Sequence, residues 1–481
     1  MSTHVSQTMP AAAAVDARRP LLVLLAMLAL FLAAMDSTVV GTLLPIMKAQ
    51  MKDEALFPWL MSSFILTSVL ITPITGRLAD AWGEKAAMLC ALAVFLAGSL
   101  AVWQADSMIG LIGARGLQGV GAGAVSVTTY IIIGRLFDDS GRAKMQGLLS
   151  LVWGVAAILG PLLGALVNRE WGWRMVFLLN APVCIVIMAL LAVLYPSQKA
   201  GNKQEAGLDL ATVVSFALGL GAALMLIMSG SLQLRDDQVQ VTVGVLLASV
   251  AVQWWRVRGL SSRSLVPLAF LSQSRYVLPA VLTVMASITL YAAVTLLPLY
   301  LYGRDPGTSL EGGLLVMSAA LGWVVGAAVC GGLLPKVGFR RASLVGSVFL
   351  ALGSWGLSAA TGNAFIAAAL VCIGLGIGFV ATTTLVLVQN QAPLAQLGSH
   401  TSAIHLCRNV GAALGINTVA ALQIVAWRQL SASHDAQAWR LSFADSFTFL
   451  MVLTLAACVL AVWMPRQAQR QVQGPSRGSA A

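Results

Sequence analysis

The sequence predicts an all-α integral membrane protein whose helices fall into a six, two, six arrangement, and three observations carry that prediction. Hydrophobic residues make up 58% of the 481-residue chain and charged residues only 10%, with a mean hydropathy of +0.86. Soluble domains use about 45–50% apolar and roughly 25% charged residues. The apolar runs are long enough for helical crossings of about 20 residues each, and the strict short-segment alternation of a membrane β-barrel is absent. Basic residues also segregate: with the N-terminus inside, 19 of the 29 Lys and Arg lie at inner ends and 8 at outer ends, while Arg115 and Arg408 fall within spans.

Taken in order, residues 1–20 are polar and alanine-rich, and Arg18 and Arg19 precede the first apolar run. This segment reads as a retained cytoplasmic tail and not as a cleaved leader. An N-terminal six-helix bundle covers 21–195, with helices predicted at 21–47, 57–79, 86–103, 108–133, 145–167 and 174–195. Residues 196–276 form a linker: the polar stretch "PSQKAGNKQEAG" at 196–207, then two additional central helices at 208–230 and 239–255. A C-terminal six-helix bundle covers 277–465, with helices at 277–302, 312–334, 342–360, 364–387, 401–425 and 445–464, followed by a cytoplasmic tail at 466–481. The total is fourteen spans. Twelve is the competing topology, because removing the 208–255 pair leaves the charge parity unchanged.

Several function classes are excluded on composition. The net charge of +11 is spread over short inner loops, so topology accounts for it and a nucleic-acid partner is not expected. All six cysteines lie in apolar segments without ligand spacing, which supports neither a disulfide framework nor a metal site. No G-x-x-x-x-G-K-[ST] phosphate loop occurs, and His4, His400, His405 and His434 form no catalytic spacing. The chain is therefore not expected to be an enzyme or to carry a cofactor. An ion gradient, most simply of protons, is left as its energy source.

Two loops repeat. "GRLADAWGEK" at 76–85 corresponds to "GGLLPKVGFR" at 331–340, with Gly76, Leu78, Gly83 and Lys85 matching Gly331, Leu333, Gly338 and Arg340. Two weakly similar halves are a transporter signature. Here the chain resembles the major facilitator superfamily, whose loop between helices two and three carries a G-x-L-a-D-r-x-G-r-K/R pattern. With fourteen spans it is similar to the fourteen-helix drug:proton antiporter family over roughly residues 20–465. Supporting segments are "MDSTVVGTLLP", "RGLQGVGAGA", "GPLLGA", "WRMVFLLNAP" and "RNVGAALG". The resemblance implies a cytoplasmic gate built from Gly76, Asp80, Gly83 and Lys85. Ala81 and Glu84 depart from it, standing where basic residues are usual, and Pro335 replaces the acid of the second copy, which implies a weak ion-pair lock.

In "FLAAMDSTVVGTLLPIM", residues 31–47, Asp36 stands near the middle of an otherwise apolar run. A carboxylate at mid-membrane costs about 2.5–3.5 kcal/mol on insertion scales, so it persists only when paired, protonated or facing an aqueous cavity. Asp36 is thus the candidate for proton coupling or substrate contact; a structural acid satisfied by a neighbouring helix is the alternative. Arg115, Gln118, Ala122, Ser126 and Thr129 recur at helical spacing and share one face of helix four. That stripe is expected to line the translocation cavity, with Arg115 favouring the ionised form of Asp36. The resemblance assigns Arg115 to proton coupling, against the reading of a snorkelling anchor. Gly154, Gly160, Pro161 and Gly164 remove bulk and one backbone donor from helix five, allowing close packing and bending; the resemblance links this pattern to antiport. Trp153, Tyr291, Gln389, Asn390, Arg408 and Asn417 are further candidates for the cavity wall, with packing or, for Arg408, interfacial anchoring as the competing role.

These residues point to a proton-coupled antiporter that exports hydrophobic, drug-like compounds, cationic ones by preference, by alternating access from a bacterial plasma membrane with both termini cytoplasmic. A metabolite:proton symporter on the same fold is the alternative, and a membrane channel or sensor a more remote one. Expected partners are an amphipathic small molecule, protons and membrane lipid, with a monomer as the simplest assembly.

Overall fold

The computed structural model describes residues 9–51, 56, 59–196, 210–227, 235–259, 270, 272–304, 309–359, 362–430 and 443–467. The first half contains α1 (Met9–Gln50), α2 (Trp59–Trp82), α3 (Glu84–Gln104), α4 (Met108–Leu136), α5 (Asp139–Trp171), α6 (Trp173–Leu178) and α7 (Asn180–Leu194), the last two forming one span broken at Leu179. Two helices follow, α8 (Leu210–Ile227) and α9 (Asp236–Gly259). The second half contains α10 (Ser274–Arg304), α11 (Ser309–Val337), α12 (Phe339–Ala359), α13 (Asn363–Gln391), α14 (Leu397–Leu430) and α15 (Ala444–Val462).

Every predicted apolar run falls on a described helix, but the span count stops short of fourteen. Among the described residues, 12 helices are long and apolar enough to cross a membrane. Within α8 the described apolar stretch is Ala211–Ala223, and α14 is not among the 12. Its sequence is interrupted by His400, His405, Arg408, Asn409 and Asn417. α1 also begins earlier than expected, at Met9, because the alanine-rich tail has high helix propensity. The polar linker at 197–207 and the C-terminal tail beyond 467 lie outside the described residues.

The two halves repeat one packing scheme. In the first, α4 packs on α2 and α3, α1 on α5, and α3 on α7; in the second, α13 packs on α11 and α12, α10 on α14, and α12 on α15. The halves meet along two matching seams, α5 against α11 and α2 against α14, and α8 pairs with α9 while touching α14 and α2. With lipid as solvent, helices associate through small residues that admit close backbone approach. A Cβ at Gly98 would lie 2.5 Å from the Gln118 backbone, and one at Gly121 would strike the backbone of Phe95. On the α5–α11 seam, a Cβ at Gly147 would sit 2.8 Å from Ala328 Cα, and one at Gly154 would sit 2.5 Å from Val324 Cγ2.

Three turns are a single residue long. Gly83 joins α2 to α3, Gly172 joins α5 to α6 and Gly338 joins α11 to α12, with φ of 85°, 83° and 78°. That left-handed region suits glycine because it lacks a Cβ.

Candidate functional site

Asp36 on α1 lies at the centre of a sealed polar cluster. Arg115 Nη1 donates to its Oδ2 at 2.7 Å, and Gln118 Nε2 donates to Oδ1 at 2.7 Å. Asn180 Nδ2 adds a longer bond to Oδ1 at 3.3 Å. Gln118 also accepts from Arg115 Nη1 at 2.6 Å and donates to Ser99 Oγ at 2.9 Å. Asp36 is 1% exposed, and Arg115, Gln118 and Ser99 are fully buried. The Arg115 guanidinium stacks 4.2 Å from the Phe64 ring centroid, while its Nε and Nη2 have no hydrogen-bond partner among the described residues. A charge pair in such surroundings survives because each ion offsets the other's desolvation, and removing one partner typically costs about 3–5 kcal/mol. Local sequence places the cluster: Gly98 lets α3 approach the Gln118 backbone, so the neighbouring Ser99 reaches the amide.

The turns after α2 and α4 lie at one end of the bundle, where the two halves are fastened. Asp80, at the end of α2, accepts from Gly398 N at 2.7 Å, Ser399 N at 2.8 Å and Ser399 Oγ at 2.6 Å. An anion there meets the free N–H groups and the positive dipole end of α14. Gly76 and Gly398 pass each other with no room for a Cβ on either. Arg142, near the start of α5, donates to Gly134 O at 2.7 Å, to Gln389 O at 3.3 Å and to Asn390 Oδ1 at 2.9 Å, so a cation meets the carbonyl ends of α4 and α13.

The weak lock expected from Glu84 is corrected by this geometry. Gly83 turns the chain so that Glu84 is fully buried, with Arg135 Nη1 3.0 Å from its Oε2 and the Tyr195 hydroxyl donating to Oε1 at 2.8 Å. Arg135 Nη2 also lies 3.4 Å from Asp80 Oδ1. Burial, followed by the charge and hydrogen bond of Glu84, pushes the Tyr195 phenol well above the usual tyrosine range. Lys85 Nζ donates to Ala192 O at 2.7 Å and Tyr195 O at 2.8 Å, capping α7 without crossing to the second half. At the next turn Asp138 caps α5 by accepting from Gly141 N at 2.9 Å, and that bond, with the Ser140 hydroxyl, holds its carboxyl below the usual aspartate value.

Between the halves lies a cavity of about 140 Å³. Its wall includes Trp153 and Gly154 of α5, Trp323 of α11, and Ile404, His405 and Arg408 of α14. The expected helix-four stripe does not line it. Arg115 and Gln118 turn toward α1 and α3, Ser126 Oγ bonds back to Ala122 O at 2.9 Å, and Thr129 Oγ1 donates to Val125 O at 2.9 Å and to Ala26 O at 3.3 Å. From α4 it is Tyr130 that reaches the wall.

Other candidates for the wall are also corrected. Gln389 Nε2 is spent on Tyr130 O at 3.1 Å and Thr401 Oγ1 at 3.3 Å, Asn390 is held by Arg142, and Asn417 Nδ2 donates to Ala413 O at 2.8 Å on its own helix. Tyr291 packs against the apolar core of the second half. Arg408, also a candidate, does line the cavity; α14 starts at Leu397, which puts Arg408 about three turns inside the helix. In helix five, Gly154 faces Val324 of the other half, whereas Gly160 abuts Thr38 and Met35 of α1; Gly164 is buried and Pro161 half-buried. The glycine motif therefore serves both a seam between halves and a contact within one.

Ser99, Asn180, Arg135, Arg142 and His405 were not singled out from sequence. Asn180 and His405, polar residues inside spans, carried a usable signal. Ser99 did not, because a serine in a transmembrane helix ordinarily bonds to its own backbone.

The sequence profile of the Major Facilitator Superfamily matches residues 26–416. Multidrug transporter protein MdtP of Bacillus subtilis (strain 168) is 27% identical over 414 residues, covering 85% of this chain and 76% of that protein. Multidrug resistance protein 3 of the same organism is 23% identical over 401 residues, covering 82% of this chain and 78% of that one. The crystal structure of the human organic anion transporter MFSD10 superposes with a TM-score of 0.65 over 91% of this chain and 98% of that one; at 16% identity this likeness speaks for the fold alone.

Proposed function

We propose, from the premise that this chain belongs to the Major Facilitator Superfamily and is a membrane transporter and not an enzyme, that it exports hydrophobic drug-like compounds in exchange for protons. The observation that carries the proton is the Asp36–Arg115 pair, a carboxylate sealed in the middle of a span with its three donors. On this reading Asp36 pairs as a carboxylate with Arg115. Taking up a proton removes the charge that offsets buried Arg115, so the cluster loosens and α1 shifts against α4. Because α1 packs on α5, and α5 forms a seam with the second half, this displacement is transmitted to the cavity between the halves.

Alternating access then consists of the two halves rocking about the α5–α11 and α2–α14 seams. Asp80 and Arg142 hold one end closed, and that end is assigned to the cytoplasm by the basic excess of its loops. On this reading the protein sits in a bacterial plasma membrane with both termini inside, and α8 and α14 complete fourteen spans. The resemblance in sequence to MdtP and multidrug resistance protein 3 supports drug export. The cationic preference inferred from sequence is withdrawn, since it required Asp36 to face the cavity and Asp36 does not line it.

The test uses purified full-length protein in vesicles with an imposed pH gradient and a fluorescent hydrophobic dye. Movement of dye against the proton flow, abolished when the gradient is collapsed, is the expected result. Movement in the same direction as protons identifies the symporter instead, and flux indifferent to the gradient overturns both.

A further inference from the structure

The cavity wall carries positive charge and, among the described residues that line it, no carboxylate. Arg408 reaches it half-buried from α14 and takes part in no hydrogen bond or ion pair with a described residue. Asp36, Asp80, Glu84 and Asp139 do not line the cavity and pair elsewhere: Asp36 with Arg115, Asp80 and Glu84 with Arg135, and Asp139 with Arg142. One turn away, His405 is 4% exposed, its ring centroid 4.3 Å from that of Tyr130, and its Nε2 has no hydrogen-bond partner. Three hydroxyls of the wall are occupied, since those of Thr283 and Thr384 lie 2.8 Å apart and Ser150 Oγ donates to Gln146 O at 3.2 Å. The remaining surface includes the indoles of Trp153 and Trp323.

These facts together select a ligand. A cation entering the cavity meets Arg408 without an opposing acid, in surroundings where charges are poorly screened. An anion instead forms a charge-assisted hydrogen bond to the guanidinium and supplies an acceptor for the unpartnered His405 Nε2 in its N–H tautomer. The aromatic walls suit a flat ring, and an apolar cavity of about 150 Å³ holds one of benzene size. We propose that this cavity binds an aromatic organic anion, its carboxylate or phenolate oxygen on Arg408 and His405 and its ring against Trp153 and Trp323. The proposal rests on the export reading for its physiological meaning, but binding itself needs no gradient.

The experiment is equilibrium binding of radiolabelled benzoate, benzamide and benzylamine to the purified full-length protein in detergent at neutral pH. These three ligands share a ring and differ in charge. Benzoate is expected to bind tightest and benzylamine weakest. Arg408→Gln is expected to weaken benzoate roughly tenfold or more while leaving benzylamine unchanged or improved, Arg408→Lys to recover part of the loss, and His405→Asn to weaken benzoate less than Arg408→Gln. Benzylamine binding as well as benzoate, absence of saturable benzoate binding, or an Arg408→Gln protein with wild-type benzoate affinity overturns the proposal. If the arginine variants fail to fold, the wild-type ranking decides alone. Failure of proton-driven dye export in vesicles would sink the export reading and leave this ranking intact.

Discussion

Arg115 and Asp36 meet at 2.7 Å with both side chains shut off from solvent, and neither touches the cavity between the halves. On the proposed mechanism, charge change and substrate binding therefore occupy different places. Asp36→Asn should abolish uphill dye movement in the vesicle assay and also lower thermal stability by about 3–5 kcal/mol, because Arg115 is left buried without its counter-charge. Adding Arg115→Gln should restore much of the stability and none of the coupling. A double variant that regains transport would show that the pair is structural.

Asp80 satisfies the first amides of α14 from across the interface between halves. Asp80→Ala should speed hydrogen exchange at Gly398 and Ser399 by roughly ten- to a hundredfold, the loss of a charge-assisted bond, with Asp80→Asn falling between. Unchanged protection at these two amides would mean that the helix end is held by something else.

Gly121 and Gly113 lie on the same helix with opposite surroundings. A Cβ at Gly121 runs into the backbone of Phe95, while one at exposed Gly113 meets nothing within 4 Å. Gly121→Val should lower the melting temperature in detergent by an amount equivalent to about 1–3 kcal/mol or more. Gly113→Ala should melt with the wild type.

Tyr195 gives a pH dependence with a definite sign. Its phenol is raised above the ordinary value of 10.0 by burial and by Glu84. The unfolded chain therefore releases this proton first, so the stability is fully present below about pH 10 and declines above it, by about 1.4 kcal/mol per pH unit from this group. Thermal melts between neutral pH and pH 11 should show that decline in the wild type and a shallower one in Tyr195→Phe.

The helices were legible because spanning a bilayer demands long apolar runs, and Asp36 and Arg115 stood out because charge inside such runs is costly. Their partners were not. The helical spacing of Arg115, Gln118 and Thr129 told which residues share a face, but not which helix that face would meet. Gly98 and Gly121 draw α3 against α4, so the stripe looks inward within one half instead of across to the other. Asp80 and Arg142 lay in recognisable loops, yet their contacts join segments separated by 318 and 248 positions, beyond any local pattern. His405 was set aside for lacking metal or catalytic spacing, a criterion blind to a lone imidazole in a cavity wall.

The three one-glycine joints at Gly83, Gly172 and Gly338 leave no slack between the helices they connect. A tilt imposed on one arm passes directly to the next, so each hairpin works as a bent lever whose elbow barely flexes. Lengthening such an elbow by a single inserted residue would leave every helix intact and still let one arm swing without moving the other.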